Sequence, residues 1–190
     1  STVLMPFGGK YQLTPAQSMA SKIPLLKGST NTATLMSYGY DPKISKWSPF
    51  HGAMYAVVDS VAKIVAAGGN PDEIKLTFQE YFERLKDDPK KWGKPFASLL
   101  GALKAQLSMN VASIGGKDSM SGSFNDMDVP PTLVSFAVCP AKADNVISPE
   151  FKNTASVIAA VFCGYDENGV PDFNKLNSLN KLVHEYIKKG

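Results

Sequence analysis

Arginine is almost missing from this sequence of 190 residues, which carries a net charge of +3. Arg84 is the single arginine among the 20 basic residues, and the other 19 are lysines spread thinly along the chain. Bidentate guanidinium contacts to phosphates or base edges are therefore nearly excluded, and we expect no nucleic-acid partner. Any bound anion must be held by lysine side chains, backbone N–H groups or a metal ion.

Cysteine, histidine and long apolar runs are also scarce. Cys139 and Cys163 form no CxxC pair, and the chain has only two histidines, so a zinc site is not indicated. Apolar runs such as 157–163 fall far short of the roughly 20 residues that a membrane helix needs, and the N-terminal residues lack a secretory pattern. We expect a cytoplasmic protein with reduced thiols and no membrane partner. The absence of an initiator methionine suggests a chain that starts partway through a longer protein.

What the sequence does contain is an alternation of strand and helix patterns. Short runs with β-type residues or period-two alternation predict strands, and apolar residues at helical spacing predict helices. This order predicts an α+β fold with a mixed or antiparallel sheet and helices on one face. The predicted strands are 2–7, 32–35, 74–78, 111–114 and 131–138, and the predicted helices are 49–67, 95–107 and 174–189.

The last part of the chain predicts a different organisation. Residues 156–162 favour one strand and residues 174–189 one helix, which together cannot bury a core. We therefore expect a domain over residues 1–145, followed by a linker and the truncated start of a second domain over residues 146–190.

The helix predicted after Ser48 and Pro49 has two unlike sides. Six apolar residues fall on one side and predict a core face. Small residues on the other side would allow a ligand or another backbone to approach closely. Asp59 and Lys63, one turn apart there, either pair with each other or take part in a site. The apolar residues are Met54, Val57, Val58, Val61, Ile64 and Val65, and the small ones are Gly52, Ala56, Ala66 and Ala67.

The decapeptide SIGGKDSMSG, residues 113–122, is the most distinctive polar motif. Its spacing fits neither a Walker P-loop nor a G-x-G-x-x-G loop. One interpretation is a magnesium-phosphate site, in which Asp118 binds the cation while Lys117 or backbone N–H groups meet the phosphate. The other is a strand-to-loop turn with a solvated ion pair, because glycine and aspartate are common in turns.

Five longer motifs resemble phosphoribosylformylglycinamidine synthase, the formylglycinamide ribonucleotide amidotransferase of purine synthesis. They are SPFHGAMYAVVDSVAKIVAAGG, LTFQEYFERL, WGKPFASLLGALKAQL, SIGGKDSMSGSFNDMDVPPTLVSFAV and VISPEFK. That family makes formylglycinamidine ribonucleotide from formylglycinamide ribonucleotide, ATP and glutamine. Its synthase region holds two copies of a fold similar to aminoimidazole ribonucleotide synthetase. The resemblance implies that residues 1–145 are the N-terminal domain of the second copy, without its first strand.

The resemblance also implies a site. In large members the second copy resembles a degenerate active site that can hold ADP with magnesium. Asp118 matches the aspartate of the Gly-Lys-Asp-Ser-Met motif, which includes Lys117 and Ser119, and Asp59 matches a glutamate ligand. Lys27 and Lys63 stand where some members carry further metal ligands, so the pocket can be neutralised by fixed lysines instead.

We therefore expect ATP and magnesium as cofactors of the parent enzyme, but none tightly bound in this part and no catalytic residue within it. The expected partners are the catalytic half and the glutaminase domain of the same parent. An alternative is a pairing module without a ligand site, which could form homodimers, and an independent small-molecule kinase is a third possibility. His51 is interpreted mainly as a packing or capping residue, and Asp126 and Asp128 as a loop tip.

Overall fold

A computed structural model describes residues 2–5, 7 and 15–189. The described residues form eight strands and four helices in a mixed order, with two short 3-10 helices at Pro71–Glu73 and Ala143–Asn145. Six of these strands form the longer sheet, and the other two form a hairpin. The strands are β1 Thr2–Leu4, β2 Ser18–Lys22, β3 Thr32–Gly39, β4 Lys75–Tyr81, β5 Ala112–Ser119, β6 Ser123–Phe124, β7 Met127–Asp128 and β8 Thr132–Lys142. The helices are α1 Pro42–Trp47, α2 Pro49–Ala66, α3 Pro89–Met109 and α4 Phe173–Lys189.

The longer sheet has the strand order β1-β2-β3-β8-β4-β5. β1 pairs with β2, and β2 with β3, in antiparallel fashion, whereas β4 and β5 are parallel. A parallel pair needs a crossover connection, which α3 supplies. The predicted α+β class with a mixed sheet is thus confirmed.

The chain divides into two compact units. One contains residues 1–37, 62–74 and 138–190, and the other contains residues 38–61 and 75–137. We call them the terminal unit and the central unit. The predicted domain boundary at residue 145 stays a prediction.

In the central unit, α2 packs through small polar and apolar groups. Its Ser60 side chain lies 2.9 Å from the Ser135 hydroxyl of β8, and both residues are fully buried. A Cβ atom on Gly101 of α3 would lie 1.9 Å from the carbonyl oxygen of Phe50, so the two helices cross with their backbones in contact. Glycine is required at that crossing because any side chain would force the helices apart.

Helix α3 is longer than the helix predicted over 95–107. It begins at Pro89, with the Asp88 side chain accepting a hydrogen bond from the Lys90 N–H, and Pro95 lies inside it. Small residues are buried while the apolar stripe is exposed, because close helix packing at Gly101 leaves no room for leucine on the inner face. The buried residues include Ser98, Ala102 and Ala105, and the exposed stripe is Phe96, Leu99, Leu100, Leu103 and Leu107.

In the terminal unit, β1, β2 and the first part of β3 form an antiparallel ribbon, and α4 contacts the segment after α2. Lys181 of α4 lies 3.4 Å from Asp72, and a Cβ atom on Gly68 would lie 3.6 Å from the Ile187 side chain. The helix predicted over 174–189 is confirmed. Within the described residues no helix combines the length and the apolar character needed to cross a bilayer.

Three strand predictions differ from the structure. Residues 156–162 form no strand and are exposed, because no neighbouring strand supplies hydrogen-bond partners there. The strand predicted over 111–114 continues to Ser119, so most of the decapeptide is strand rather than loop. The predicted strand over 2–7 is limited to β1, and Pro6 lies outside the described residues.

Candidate functional site

The decapeptide forms the edge of the longer sheet. β5 pairs with β4 alone among the described strands, and its residues are exposed from Ile114 to Asp118. Strand β4 leaves no room for a side chain at Gly116, since a Cβ atom there would lie 2.7 Å from the Phe78 carbonyl oxygen. Gly122 is similarly enclosed, since a Cβ atom there would lie 2.3 Å from the Val129 Cγ1 atom.

The backbone of the decapeptide does not form a phosphate-binding nest. Such a nest needs alternating right- and left-handed residues. Within the described residues, the glycines with positive φ are Gly28, Gly68, Gly164 and Gly169, and none lies in 113–122. An anion at this motif would therefore depend on the Lys117 ammonium group.

Asp118 lies opposite Glu80 in the parallel register of β5 and β4. The Glu80 side chain follows Leu76 and Phe78 on the buried side of β4, and it is only 7% exposed. Asp118 is exposed. Burial, and next the negative charge of Asp118, raise the pKa of Glu80 from 4.5 to about 7.

The neighbours of Asp118 along β5 are also placed at this strand end. The Lys117 Nζ atom lies 3.4 Å from the Asp118 carbonyl oxygen, and the Ser119 hydroxyl lies 3.1 Å from that of Ser121. The Ser119 carbonyl accepts a hydrogen bond from the Phe82 N–H at 2.9 Å, which holds the two strand ends together. Asp118, Lys117 and Ser119 therefore gather at the carboxyl ends of two parallel strands.

Asp59 lies on α2 in the central unit and is half-buried. The small-residue side of this helix was predicted to admit either a ligand or another backbone, and neighbouring chain segments occupy it at Gly52 and Ala56. A Cβ atom on Gly39 would lie 2.1 Å from the Ala56 carbonyl oxygen, and one on Gly52 would lie 2.3 Å from the Ser45 hydroxyl. These contacts account for Gly52 and Ala56 without a ligand, and the role of Asp59 stays a prediction.

Lys27 and Lys63 belong to the terminal unit. Lys27 is exposed in the connection between β2 and β3, next to Gly28 with φ of 81°. Lys63 is half-buried, its carbonyl oxygen accepts a hydrogen bond from the Ser18 hydroxyl at 2.8 Å, and it lines a mainly apolar cleft of about 280 Å³. The cleft is lined further by Leu4, Ala16, Ala66, Ile147 and Pro149.

Glu80 is the residue that the sequence interpretation missed. The signal was present, because Leu76, Phe78 and Glu80 share one side of a period-two strand whose apolar members are buried. An acidic residue at such a position is unusual unless it has a partner.

Magnesium fits the chemistry of this strand end. Mg²⁺ binds oxygen ligands and is commonly held in proteins by one or two carboxylates, with water and phosphate oxygens completing its shell. Asp118 and Glu80 supply two carboxylates there. Within the described residues, no group of three or more His, Cys, Asp or Glu side chains is placed to hold a metal ion.

A second polar cluster lies next to the β6–β7 hairpin. Glu83 is buried and pairs with Lys91 and Lys94 of α3. Hydrogen bonds from Lys91 and then Lys94 lower the pKa of Glu83 from 4.5 to about 2. A polar cleft of about 420 Å³ adjoins it, lined by Arg84, Lys86, Lys91, Ser123, Phe124, Asn125, Asp126 and Asp128.

Ser48 caps helix α2, and His51 packs against this cap. The Ser48 hydroxyl accepts a hydrogen bond from the His51 N–H at 3.3 Å and lies 2.8 Å from the ring Nδ1 atom. The ring also contacts Trp47, with centroids 4.8 Å apart. These contacts agree with the packing and capping interpretation.

The comparisons with known proteins begin with a negative result, since no family model matches the chain. A curated relative, phosphoribosylformylglycinamidine synthase subunit PurL of Thermococcus sibiricus, is 24% identical over 145 residues, which are 75% of this chain and 20% of the relative. The chain thus spans about a fifth of the length of the curated relative it matches.

Solved structures of T. maritima PurL share the fold. The complex with ATP matches with a TM-score of 0.74 and 16% identity, covering 100% of this chain and 28% of that one. The complex with ADP matches with a TM-score of 0.71 and 14% identity, again covering 100% of this chain and 28% of that one. The complex with FGAR matches with a TM-score of 0.67 and 14% identity, covering 92% of this chain and 26% of that one. In sequence over 75% of its length, and in fold over all of it, this chain is similar to PurL, as its motifs predicted.

Proposed function

We propose that this chain is part of an ATP-dependent amidotransferase that makes formylglycinamidine ribonucleotide from formylglycinamide ribonucleotide, ATP and glutamine. The observation that carries the proposal is the agreement of two separate comparisons, one of sequence and one of fold, on PurL. Solved PurL structures hold ATP, ADP and FGAR, the ligand classes that such a reaction requires.

Within that parent, we propose, this part is the non-catalytic half. By resemblance to the family, Lys27 and Lys63 stand where some members carry metal-contacting residues, and Asp59, Lys117, Asp118 and Ser119 stand for residues of the ancestral nucleotide site, so a nucleotide-bound divalent ion is no longer needed there for charge balance. The half then contributes surfaces to the catalytic half and the glutaminase domain.

An assay of the parent protein that carries this sequence tests the activity. We expect formylglycinamidine ribonucleotide and ADP to appear when FGAR, glutamine and ATP are all present, and not when FGAR is left out. The 190-residue chain alone should form no product. A purified parent that forms none of this product, while a known PurL enzyme does so in the same buffer, would overturn the proposal.

Calorimetric titration of the chain with Mg-ADP tests the degenerate pocket. We expect no tight binding, and replacing Lys27 and Lys63 together by Asp and Asn should then create or strengthen it. Tight binding by the unmodified chain, lost in Asp118→Ala, would show instead that the pocket is intact.

The second candidate is a pairing module, favoured by the exposed edge strand β5. An unpaired edge offers free backbone N–H and C=O groups to a second copy. Sedimentation of the chain should then reveal dimers that dissociate when Ile114, which is 71% exposed on β5, is replaced by proline. A monomer at all concentrations would remove this candidate and leave the amidotransferase proposal intact.

A further inference from the structure

The outward side of α3 carries six large apolar residues that are exposed to solvent. Their exposed fractions run from 42% for Leu100 to 75% for Leu107, whereas the small residues on the opposite side of the helix are buried. A contiguous exposed apolar surface rimmed by polar residues marks an interaction site. We call these six residues the outer face of α3; they are Trp92, Phe96, Leu99, Leu100, Leu103 and Leu107.

The spacing of the outer face is that of a seam between two helices. From Trp92 onward, steps of four, three and four residues lead to Phe96, Leu99 and Leu103. This alternation keeps apolar side chains facing a second helix along two packed helices. From Trp92 to Leu107 the face extends over about 22 Å, at 1.5 Å per residue. The surface therefore fits another helix of similar length.

The same spacing is symmetric about the middle of the helix. The midpoint lies between Leu99 and Leu100, and the other four members lie at equal distances on either side of it. Two copies of α3 laid antiparallel about that midpoint bring each member of the outer face onto a member of the other copy. The pairs are Leu99 with Leu100, Phe96 with Leu103, and Trp92 with Leu107. A two-fold interface between identical subunits requires this self-complementarity.

The charges of α3 favour the same antiparallel arrangement. The helix carries four lysines and no acidic residue. In a parallel pair each lysine would lie near its own copy, and like charges repel. In the antiparallel pair the residues opposite Lys90, Lys91, Lys94 and Lys104 are Met109, Ser108, Ala105 and Pro95. Lys90 would also approach the carboxyl end of the other helix, where α3 has no basic residue of its own and where a cation is stabilising.

The charges do not favour an acidic partner of another kind. Lys91 and Lys94 are already paired with Glu83. The adjoining cleft sets Asp126 and Asp128 beside Arg84 and Lys86. Little unbalanced positive charge is therefore left near the outer face to attract acidic side chains.

We propose that the outer face of α3 binds the same face of a second copy of this chain, as an antiparallel helix pair with two-fold symmetry. This contact is separate from the edge strand β5, through which the pairing module considered above would act. It needs no ligand and does not depend on the proposed amidotransferase function. One helix per copy is a small contact beside the ~800 Å² per partner of a standard interface, so we expect a weak dimer with a dissociation constant on the order of 10⁻⁵ M.

Sedimentation velocity of the 190-residue chain over a hundredfold concentration range tests the contact. Leu103→Glu should weaken the dimer at least tenfold, because two-fold symmetry places two carboxylates in each interface. Leu182→Glu is the matched control, since Leu182 lies on α4 and is 43% exposed, against 47% for Leu103. Ile114→Pro, which disrupts the β5 edge, should leave this dimer intact. Circular dichroism checks that each variant is folded.

Disulfide trapping tests the antiparallel register. Two chains, one with Phe96→Cys and one with Leu103→Cys, are mixed in equal amounts with oxidised glutathione, and both carry Cys163→Ser to remove the more accessible native thiol. We expect a disulfide between the two different chains, because the antiparallel pair places position 96 opposite position 103. A parallel pair would join identical positions instead. Mass spectrometry of tryptic peptides distinguishes the two products.

A wild-type dimer that is weakened by Leu103→Glu but not by Leu182→Glu, together with the mixed disulfide, supports the proposal. It is overturned if the wild-type chain stays monomeric at every concentration, if Leu182→Glu weakens the dimer equally, if Ile114→Pro dissociates it, or if identical positions cross-link. None of these outcomes bears on product formation by the parent protein. Conversely, a parent without amidotransferase activity leaves the sedimentation of this chain unaffected.

Discussion

Glu80 and Glu83 are equally buried acids whose pKa values move in opposite directions. Among the described residues Glu80 has no compensating partner, and it is buried and faces Asp118, so its protonated form is favoured. Glu83 receives two lysine ammonium groups, so its charged form is favoured. The two residues therefore make opposite contributions to the pH dependence of stability.

Glu80→Gln should make the protein more stable at pH 8 and leave it almost unchanged at pH 4.5. The folded protein holds the Glu80 proton up to a pKa of about 7, whereas the ordinary value is 4.5, so the stabilisation is present below pH 4.5 and lost as pH rises to 7. The shift corresponds to at most about 3 kcal/mol. Urea unfolding in EDTA at both pH values measures the difference.

Glu167→Gln, at an exposed turn, is the control and should not change the pH dependence. If Glu80→Gln and the wild type have the same unfolding free energy at pH 8, Glu80 carries no burial penalty.

Glu83→Gln should destabilise the protein at pH 7, because it leaves Lys91 and Lys94 beside a neutral group. A buried pair that loses one partner costs several kcal/mol, but these lysines are 32% and 42% exposed, so we expect about 1–3 kcal/mol. The folded-state pKa of Glu83 is lowered to about 2, so its stabilisation is present above pH 4.5 and lost as pH falls toward 2. Urea unfolding at pH 7, 5 and 3 should show that the unfolding free energy falls less steeply with decreasing pH in the variant than in the wild type. An equal fall in both proteins would contradict the ion-pair interpretation.

At the scale of elements, α3 is unusual because its small residues face inward and its large apolar residues face outward. The reason is the close crossing at Gly101, where the Phe50 carbonyl of α2 meets the helix backbone. Periodicity shows that a helix has two faces, but it does not show which face the neighbouring helix covers.

Gly101→Ala and Gly93→Ala form a matched pair within this helix. At Gly93 no atom lies within 4 Å of a new Cβ, so alanine should stabilise the helix by about 0.5–1 kcal/mol. At Gly101 the new Cβ would lie 1.9 Å from the Phe50 carbonyl oxygen, so alanine should destabilise the protein by about 2 kcal/mol or more despite its better propensity. Denaturant unfolding compares the two, and equal effects would mean that the helices do not cross at Gly101.

At the scale of the whole molecule, residues 151–164 are the most accessible described stretch without regular secondary structure. Phe151 and Phe162 are 75% and 85% exposed. Exposed segments with few hydrogen bonds are preferred sites of proteolysis. Limited chymotrypsin digestion should therefore cut first within 151–165, as mass spectrometry of the fragments would reveal, and a first cut inside α2 or α3 would contradict this arrangement.

Much of this protein follows from the sequence because the determinants are local. Ser48 and Pro49 start α2 and the glycines at 68 and 69 follow its end, and the alternation in IKLTF predicts β4, since capping and periodicity act over a few residues. The PurL resemblance also depends only on the order of residues. The strand predicted over 156–162 is wrong because a strand requires a partner that local sequence cannot supply.

Tertiary structure alone decided which residues meet. Parallel pairing of β4 with β5 places Glu80 opposite Asp118 although 38 positions separate Glu80 from Asp118 in the chain. The crossing of α2 and α3 assigns Gly101 to a backbone contact and turns the leucine stripe outward. Such contacts depend on strand register and helix packing between distant segments. The composition or residue spacing of a single segment therefore does not predict them.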